Sequence, residues 1–394
     1  MRHNIGNLIT STGLFSIGYS VLIFEIPLFA VSVGSSQSEL GFIALAYTIP
    51  SLFVPLIVGR FLNKRKAVRV LQLVLLAYAL STLLFPYSSN FFELAWIRAF
   101  QGFFGIAFWV AMEKELADLA PDGETGRILG FYNVTWASAF IVGPILGGFL
   151  IDKLDYKTTF LSAFLWLVAA LVPMLLLKSE TKFTCNSSSP FVSEEEPTSE
   201  QQWETSNLVA AWLASGMEGV VLGVVFSLFS AYVTLLGFSV IWAGFFMLLL
   251  GVSRAITFLG IGLVTERVGE RKFMLLGTIL AASVIVLGLT HKAGLLALAL
   301  LVLGLASGMS QASALTLVSR SPSRGRGSAI GKLEFSFYLG FALMSQMGGI
   351  SADLLGLWSP YIISGLVALS GFIALLVLQA RETSGKHCSV NARA

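Results

Sequence analysis

Glu25 stands two residues before Pro27 in a long apolar run, and Arg98, Glu113, Glu218, Arg254, Lys332 and Glu334 stand in other such runs. Taking a charge out of water is costly, so ionisable residues in these places are candidates for function. A carboxylate held away from water keeps its proton more firmly, and a guanidinium beside it loosens that hold. An acid and a base at variable distance can therefore load and release a proton. Two pairings are available: Glu25 with Arg98, and Glu218 with Arg254. At a rise of about 1.5 Å per residue, Glu218 and Arg254 both fall near the middle of their runs. Glu25 is the first choice for a proton-coupling or substrate acid, with Glu218 second. A fixed ion bridge is the competing role for Glu218 and Arg254, and a structural or rim role for Glu25. Glu113 and Glu334 can alternatively reach a membrane edge.

Arg98, Gln101, Gly102, Gly105, Trp109 and Glu113 share one helical face. That polar, small and aromatic stripe suits the wall of a water-filled cavity, with Trp109 as a substrate contact or as core. Glu334, Phe335, Tyr338 and Gln346 make a second polar face. Other chemistry has no footing. Cys185 and Cys388 are not spaced as a metal site, and His3, His291 and His387 lie outside the apolar runs. There is no His-Glu-x-x-His, no Gly-x-Ser-x-Gly and no Gly-Lys-Ser/Thr phosphate loop. We expect no enzyme, no metal and no cofactor, and an energy source in a gradient rather than in ATP.

The elements that must position these residues follow from composition. The chain has 394 residues, 56% of them hydrophobic and only 12% charged, with a mean hydropathy of +0.82. An ordinary soluble domain carries about 25% charged residues. Helices in lipid are required, because hydrocarbon offers the backbone no partner. A crossing takes about 20 residues. The runs fall at 8–33, 39–62, 68–86, 92–116, 128–150 and 157–177, then at 207–234, 239–264, 272–290, 293–318, 328–351 and 358–380. The chain is thus read as all-α and polytopic, with a six-helix bundle over 1–177, a polar linker over 178–206, a second bundle over 207–380 and a tail over 381–394. The acidic run Glu194-Glu195-Glu196 in the linker reads as a solvated tether.

Lys and Arg crowd the loops on the side of both termini: Arg60, Lys64, Arg65, Lys66 and Arg69, then Arg267, Arg271 and Lys272, then Arg320, Arg324 and Arg326. The opposite loops hold Lys153, Lys157 and Lys292. By the positive-inside rule both termini are cytoplasmic. The net charge of +3 is accounted for by these edges, and no nucleic-acid partner is expected.

The chain also repeats. Offset by about 201 residues, Asn7-Leu8 meets Asn207-Leu208, Leu28-Phe29 meets Leu228-Phe229, Gly147-Gly148 meets Gly348-Gly349, and Asp152 meets Asp353. Parallel repeats imply a pseudo-twofold axis along the membrane normal, a design of transporters that hold substrate between their halves.

This layout resembles the major facilitator superfamily (MFS). The loop after the second run of the second half carries Gly262, Glu266, Arg267, Gly269, Arg271 and Lys272, similar to the family's loop signature. The first-half copy, Gly59 and Asn63 followed by Lys64, lacks the acid. Arg98, Gln101 and Gly102 are similar to the family's membrane Arg motif. Gly143-Pro144-Ile145-Leu146-Gly147-Gly148 resembles the motif of its antiporter branches. The resemblance implies a secondary transporter working by alternating access, foremost a proton-coupled efflux antiporter of a small organic solute. It implies a monomer in the cell membrane whose partners are substrate, protons and lipid. A uniporter or proton symporter for sugars or organic acids stays open, as does a transporter-like sensor or scaffold. Glu266 is expected to latch the cytoplasmic side through Arg271 or Arg326 by charge-assisted hydrogen bonds. Because Asn63 is neutral, Glu266→Ala should reduce transport more than Asn63→Ala in a vesicle uptake assay; an equal or larger loss at Asn63 would contradict the view that the second-half loop carries the latch.

Overall fold

The computed structural model describes residues 2–54, 67–121, 124–177, 199–319 and 326–391. Twelve helices carry the chain, with no strand among the described residues. The first bundle holds α1 (Arg2–Ser32), α2 (Gln37–Thr48, extended by the tight turn Ile49–Leu52), α3 (Ala67–Thr82), α4 (Phe91–Leu119), α5 (Thr125–Lys153) and α6 (Tyr156–Ala169, continued by Leu171–Leu175). The second holds α7 (Ser199–Leu235), α8 (Val240–Val268), α9 (Glu270–Ala281, continued by Ile285–Leu289), α10 (Ala293–Ser319), α11 (Arg326–Leu355) and α12 (Ser359–Asn391). α7 starts inside the stretch read as linker, and α12 continues into the stretch read as tail.

Ten helices are long and apolar enough among the described residues to cross a membrane. α2 and α11 are not among them. The described part of α2 is short, and α11, which packs between α7 of its own bundle and α2 of the other, carries Lys332, Glu334, Gln346 and Asp353.

Local chemistry sets the helix ends. Ser36 and Glu39 form a reciprocal capping box at the start of α2, with Ser36 N–H donating to Glu39 Oε2 at 2.9 Å. Asp155 accepts from Thr158 N–H at 2.6 Å at the start of α6. That bond holds its carboxyl below the usual range. Gly34 after α1 and Gly237 after α7 have φ of 89° and 92°, values a side chain resists. Ser35 N–H reaches Ala30 O and Phe238 N–H reaches Val233 O, the same Schellman closure in both repeats.

The bundles meet along two antiparallel seams, α2 against α11 and α5 against α8. Glycine makes both seams close. A Cβ on Gly41 would strike the Ser345 carbonyl, and one on Gly349 the Gln37 carbonyl. A Cβ on Gly244 would strike the Pro144 carbonyl, and one on Gly148 would come within 3.1 Å of Val240 O. All of these lie toward the end opposite the termini, called here the far end. Asp353 of α11 reinforces it by accepting from the Gln37 and Ser38 N–H groups of α2 at 3.1 and 2.8 Å. It thus caps a helix of the other bundle. Its repeat partner Asp152 lies instead 3.1 Å from Lys153. Asp353→Ala removes both acceptors, so Ser38→Cys in a background lacking Cys185 and Cys388 should react faster with an impermeant thiol reagent. An unchanged rate would show that the glycine seam alone holds this end.

Candidate functional site

Glu218 of α7, Arg254 of α8 and Ser307 and Gln311 of α10 meet inside the second bundle. Arg254 Nη2 donates to Glu218 Oε1 at 3.2 Å, with side-chain exposures of 6% and 2%. Nη2 also donates to Gln311 Oε1, and Ser307 Oγ donates to Glu218 Oε1 at 2.5 Å. Close helix approach makes this possible: Gly304 packs against Leu250 and Ser253, and Gly308 against Thr257. The guanidinium also lies 5.2 Å from the ring of Trp136 on α5 of the other bundle, within the range of a cation–π contact. The guanidinium end of the pair therefore borders the seam between the bundles.

The first bundle does not assemble as the spacing suggested. Arg98 donates to Gln101 Oε1 at 3.0 Å and its guanidinium lies 4.0 Å from the Tyr47 ring. Gln101 in turn donates to Thr82 Oγ1 at 3.2 Å. Gly102 packs on the Tyr47 backbone and Gly105 on Tyr47 and Tyr78. The upper part of the α4 stripe is thus sealed against α2 and α3 and is not a wet wall. Glu25 is fully buried elsewhere, with Asp155 and Tyr156 at the start of α6 as its electrostatic neighbours. Neither of its oxygens has a hydrogen-bond partner among the described residues. The reason is angular. Ser11, Gly18 and Glu25 recur every seven residues on one face; Ser11 donates to Ala170 O and Gly18 packs on Ala163 O. That face meets α6, so Arg98 is not Glu25's partner.

Glu113 of α4 and Glu334 of α11 are exposed, yet the charge of Glu334 acts on Glu113. They therefore face a common opening between the bundles, on the termini side of the seams. Tyr132 and Tyr338 border the same acids. Trp109 stands within ring contact of Tyr19, Phe15, Tyr132 and Trp136. Phe140 joins Trp136 to Phe226 of the second bundle at 5.9 and 5.4 Å. The opening combines an aromatic wall with two carboxylates.

The antiporter-like segment divides between two neighbours. Gly143 and Gly147 pack on Ser20, Val21 and Phe24 of α1, while Pro144 and Gly148 meet α8. Of the loop residues, Gly59 and Asn63 lie outside the described residues. Gly262, Glu266 and Arg267 belong to α8 and Arg326 to the start of α11, but their side chains lie outside the description. Gly269 adopts φ 86° between α8 and α9. Arg271 donates to Asn207 Oδ1 at 3.3 Å. Among the described residues no cluster of His, Cys, Asp and Glu forms a metal site.

Sequence reasoning missed Trp136, Gln311, Ser307 and the capping role of Asp353. Ser307, Ser310 and Gln311 form an i, i+3, i+4 polar stripe that follows the wholly apolar first half of α10, which was a usable signal. Trp136 had none, because its role depends on the other bundle.

Two parallel-repeat bundles closed over one end, with an acid-lined opening between them, define a polytopic membrane transporter fold. The model of the Major Facilitator Superfamily matches residues 8–265 and 255–392, and the chain belongs to that superfamily. It is 20% identical over 379 residues to an uncharacterized MFS-type transporter of Methanocaldococcus jannaschii, covering 94% of this chain and 96% of that one. It is 21% identical over 171 residues to the quinolone resistance protein NorA of Staphylococcus aureus, covering 43% of this chain and 44% of NorA. A POT family transporter solved with 5-aminolevulinic acid superposes with a TM-score of 0.79 at 12% identity, covering 96% of each chain. At that identity the likeness concerns the fold alone.

Breaking a buried ion pair from one side strands the other charge. Arg254→Gln should therefore cost about 3–5 kcal/mol of stability. The double variant Glu218→Gln/Arg254→Gln should unfold closer to wild type in detergent melts. A double variant as unstable as the single one would show that the pair's hydrogen bonds, not its charges, matter.

Proposed function

We propose that this protein is a proton-coupled antiporter that exports a small organic solute by alternating access. In this reading it works as a monomer in the cell membrane with both termini cytoplasmic. The observation that carries the reading is the buried Glu218–Arg254 pair, whose guanidinium also touches Trp136 of the opposite bundle. Opening the far end separates α5 from α8, and with them Trp136 from Arg254. The guanidinium is then free to shift relative to Glu218, and the acid's hold on a proton shifts with it. A displacement equal to one pKa unit corresponds to about 1.4 kcal/mol, within reach of a small movement of charges away from water. Substrate would enter the aromatic opening near Glu113 and Glu334. The basic loops at the termini end support the cytoplasmic placement of both termini, and the partial similarity to the quinolone resistance protein NorA supports export.

The test is transport in proteoliposomes with an imposed pH gradient, screened over a solute panel. Wild type should move protons against solute. Glu218→Gln should lose gradient-driven transport while keeping solute exchange, and Glu25→Gln should keep the wild-type proton ratio because Glu25 faces α6. Solute movement without protons in wild type would replace the antiporter with a uniporter. An unaltered ratio in Glu218→Gln would move the coupling role to Glu113 or Glu334.

A further inference from the structure

Resting on the reading of the opening as the solute's entrance, we infer that the solute is an organic cation with an aromatic body, and that its charge, held between Glu113 and Glu334, draws the two bundles together over it.

Glu113 stands on α4 of the first bundle and Glu334 on α11 of the second, both exposed, and the charge of Glu334 acts on Glu113. Neither forms an ion pair among the described residues. The lysines nearest to them in sequence are committed elsewhere. Lys114 lies 2.7 Å from Asp118, and Lys332 lies over the Trp212 ring of α7 at 4.9 Å. Arg254, on which Glu334 also acts, is bonded to Glu218 and Gln311. Three carboxylates thus share one guanidinium, an excess of negative charge. It lies inside the helix ends: Glu113 precedes the end of α4 at Leu119, and Glu334 follows the start of α11 at Arg326. At about 1.5 Å per residue the acids are about 10 Å from those ends. The basic loops beyond are about one Debye length away.

The wall beside the acids is aromatic. Trp109, Trp136 and Tyr338 are partly exposed. Trp109 stands 5.9, 6.2 and 6.5 Å from the rings of Tyr19, Tyr132 and Trp136. Tyr338 of α11 lies within electrostatic range of both acids and of Tyr19 on α1, so acids and rings from both bundles share one space. Aromatic faces attract cations, and this chain already uses them so: Arg254 lies 5.2 Å from the Trp136 ring and Arg98 4.0 Å from the Tyr47 ring. An anion would be repelled by the acids and by the negative faces of the rings. A neutral solute would leave both acids unpaired, and a small inorganic cation would leave the rings uncovered. A positive charge on a flat apolar body meets both surfaces.

The acids belong to opposite bundles, so their mutual repulsion opposes closure of the termini side. A cation between them attracts both. Binding and closure are then one event, triggered by the solute's charge and not by its shape.

The experiment uses the full-length protein in lipid nanodiscs and three probes that share one ring: (1-naphthylmethyl)trimethylammonium, 1-naphthalenemethanol and 1-naphthaleneacetate. Calorimetry reads binding. Spin labels at Asp118→Cys and Gly331→Cys, in a background lacking Cys185 and Cys388, read the distance between the termini-side ends of α4 and α11. The ammonium should bind and shorten that distance, and the alcohol and the carboxylate should do neither. Glu113→Gln and Glu334→Gln should each weaken ammonium binding about tenfold; both side chains are exposed, so neither substitution disturbs packing. No ammonium binding, equal binding of the three probes, or ammonium binding unaltered in both variants would overturn the proposal. Binding at an unchanged distance would overturn the closure. Ammonium binding without proton counterflow in liposomes would end the antiporter reading and leave this site standing, whereas proton-coupled export of neutral or anionic solutes alone would do the reverse.

Discussion

Hydrocarbon gives a polar group no partner, and in this chain the buried polar groups find theirs on their own helix or on a neighbouring one. That constraint governs where α1–α12 turn their faces. Ser11 reaches the Ala170 carbonyl, Ser20 the Ala139 carbonyl, and Ser345 the Gly223 carbonyl. Each bond ties two helices together as it satisfies one hydroxyl. The same demand draws Glu218, Arg254, Ser307 and Gln311 into one network. It also fits the placement of α11, whose Lys332 lies over the Trp212 ring of α7 and whose Asp353 reaches α2 of the other bundle.

Close approach of backbones is the second half of that design. Gly41, Gly148, Gly244 and Gly349 let helices of opposite bundles touch carbonyl to Cα, so the far end closes by backbone packing and not by bulky side chains. Such a seam has few interlocking side chains to undo when the bundles rock. The two seams are not equivalent. Asp353 caps α2 across the interface, whereas its repeat partner Asp152 sits by Lys153. The pseudo-twofold relation is therefore structural, and the polar chemistry is divided unequally. The ion pair belongs to the second bundle, while the first holds Arg98 in a neutral setting of Gln101, Thr82 and Tyr47.

Much of this was written in the linear chain. Apolar runs of crossing length, with so few charges elsewhere, leave helices in lipid as the solution. The repeat Asn7/Asn207 through Asp152/Asp353 implied two like bundles, and the matching glycine turns at Gly34 and Gly237 carry the repeat down to the backbone. Depth along a helix was also readable, because rise per residue is constant; Glu218 and Arg254 could be placed level with one another from residue counts alone.

Direction around the helix was another matter. Glu25 and Arg98 had compatible types, but Glu25 turns toward α6 with Ser11 and Gly18, while Arg98 turns toward Tyr47. A nearly uniform apolar helix gives its angular orientation little sequence signature, since lipid and core both accept Leu and Phe. Contacts between bundles were invisible for a related reason: Trp136 over Arg254 and Asp353 on α2 join residues whose separation in sequence says nothing of their proximity. Composition, span count and repeat were determined by the sequence, because lipid acts on every residue alike. Partner choice within the membrane was decided by tertiary packing, because only there do particular faces meet.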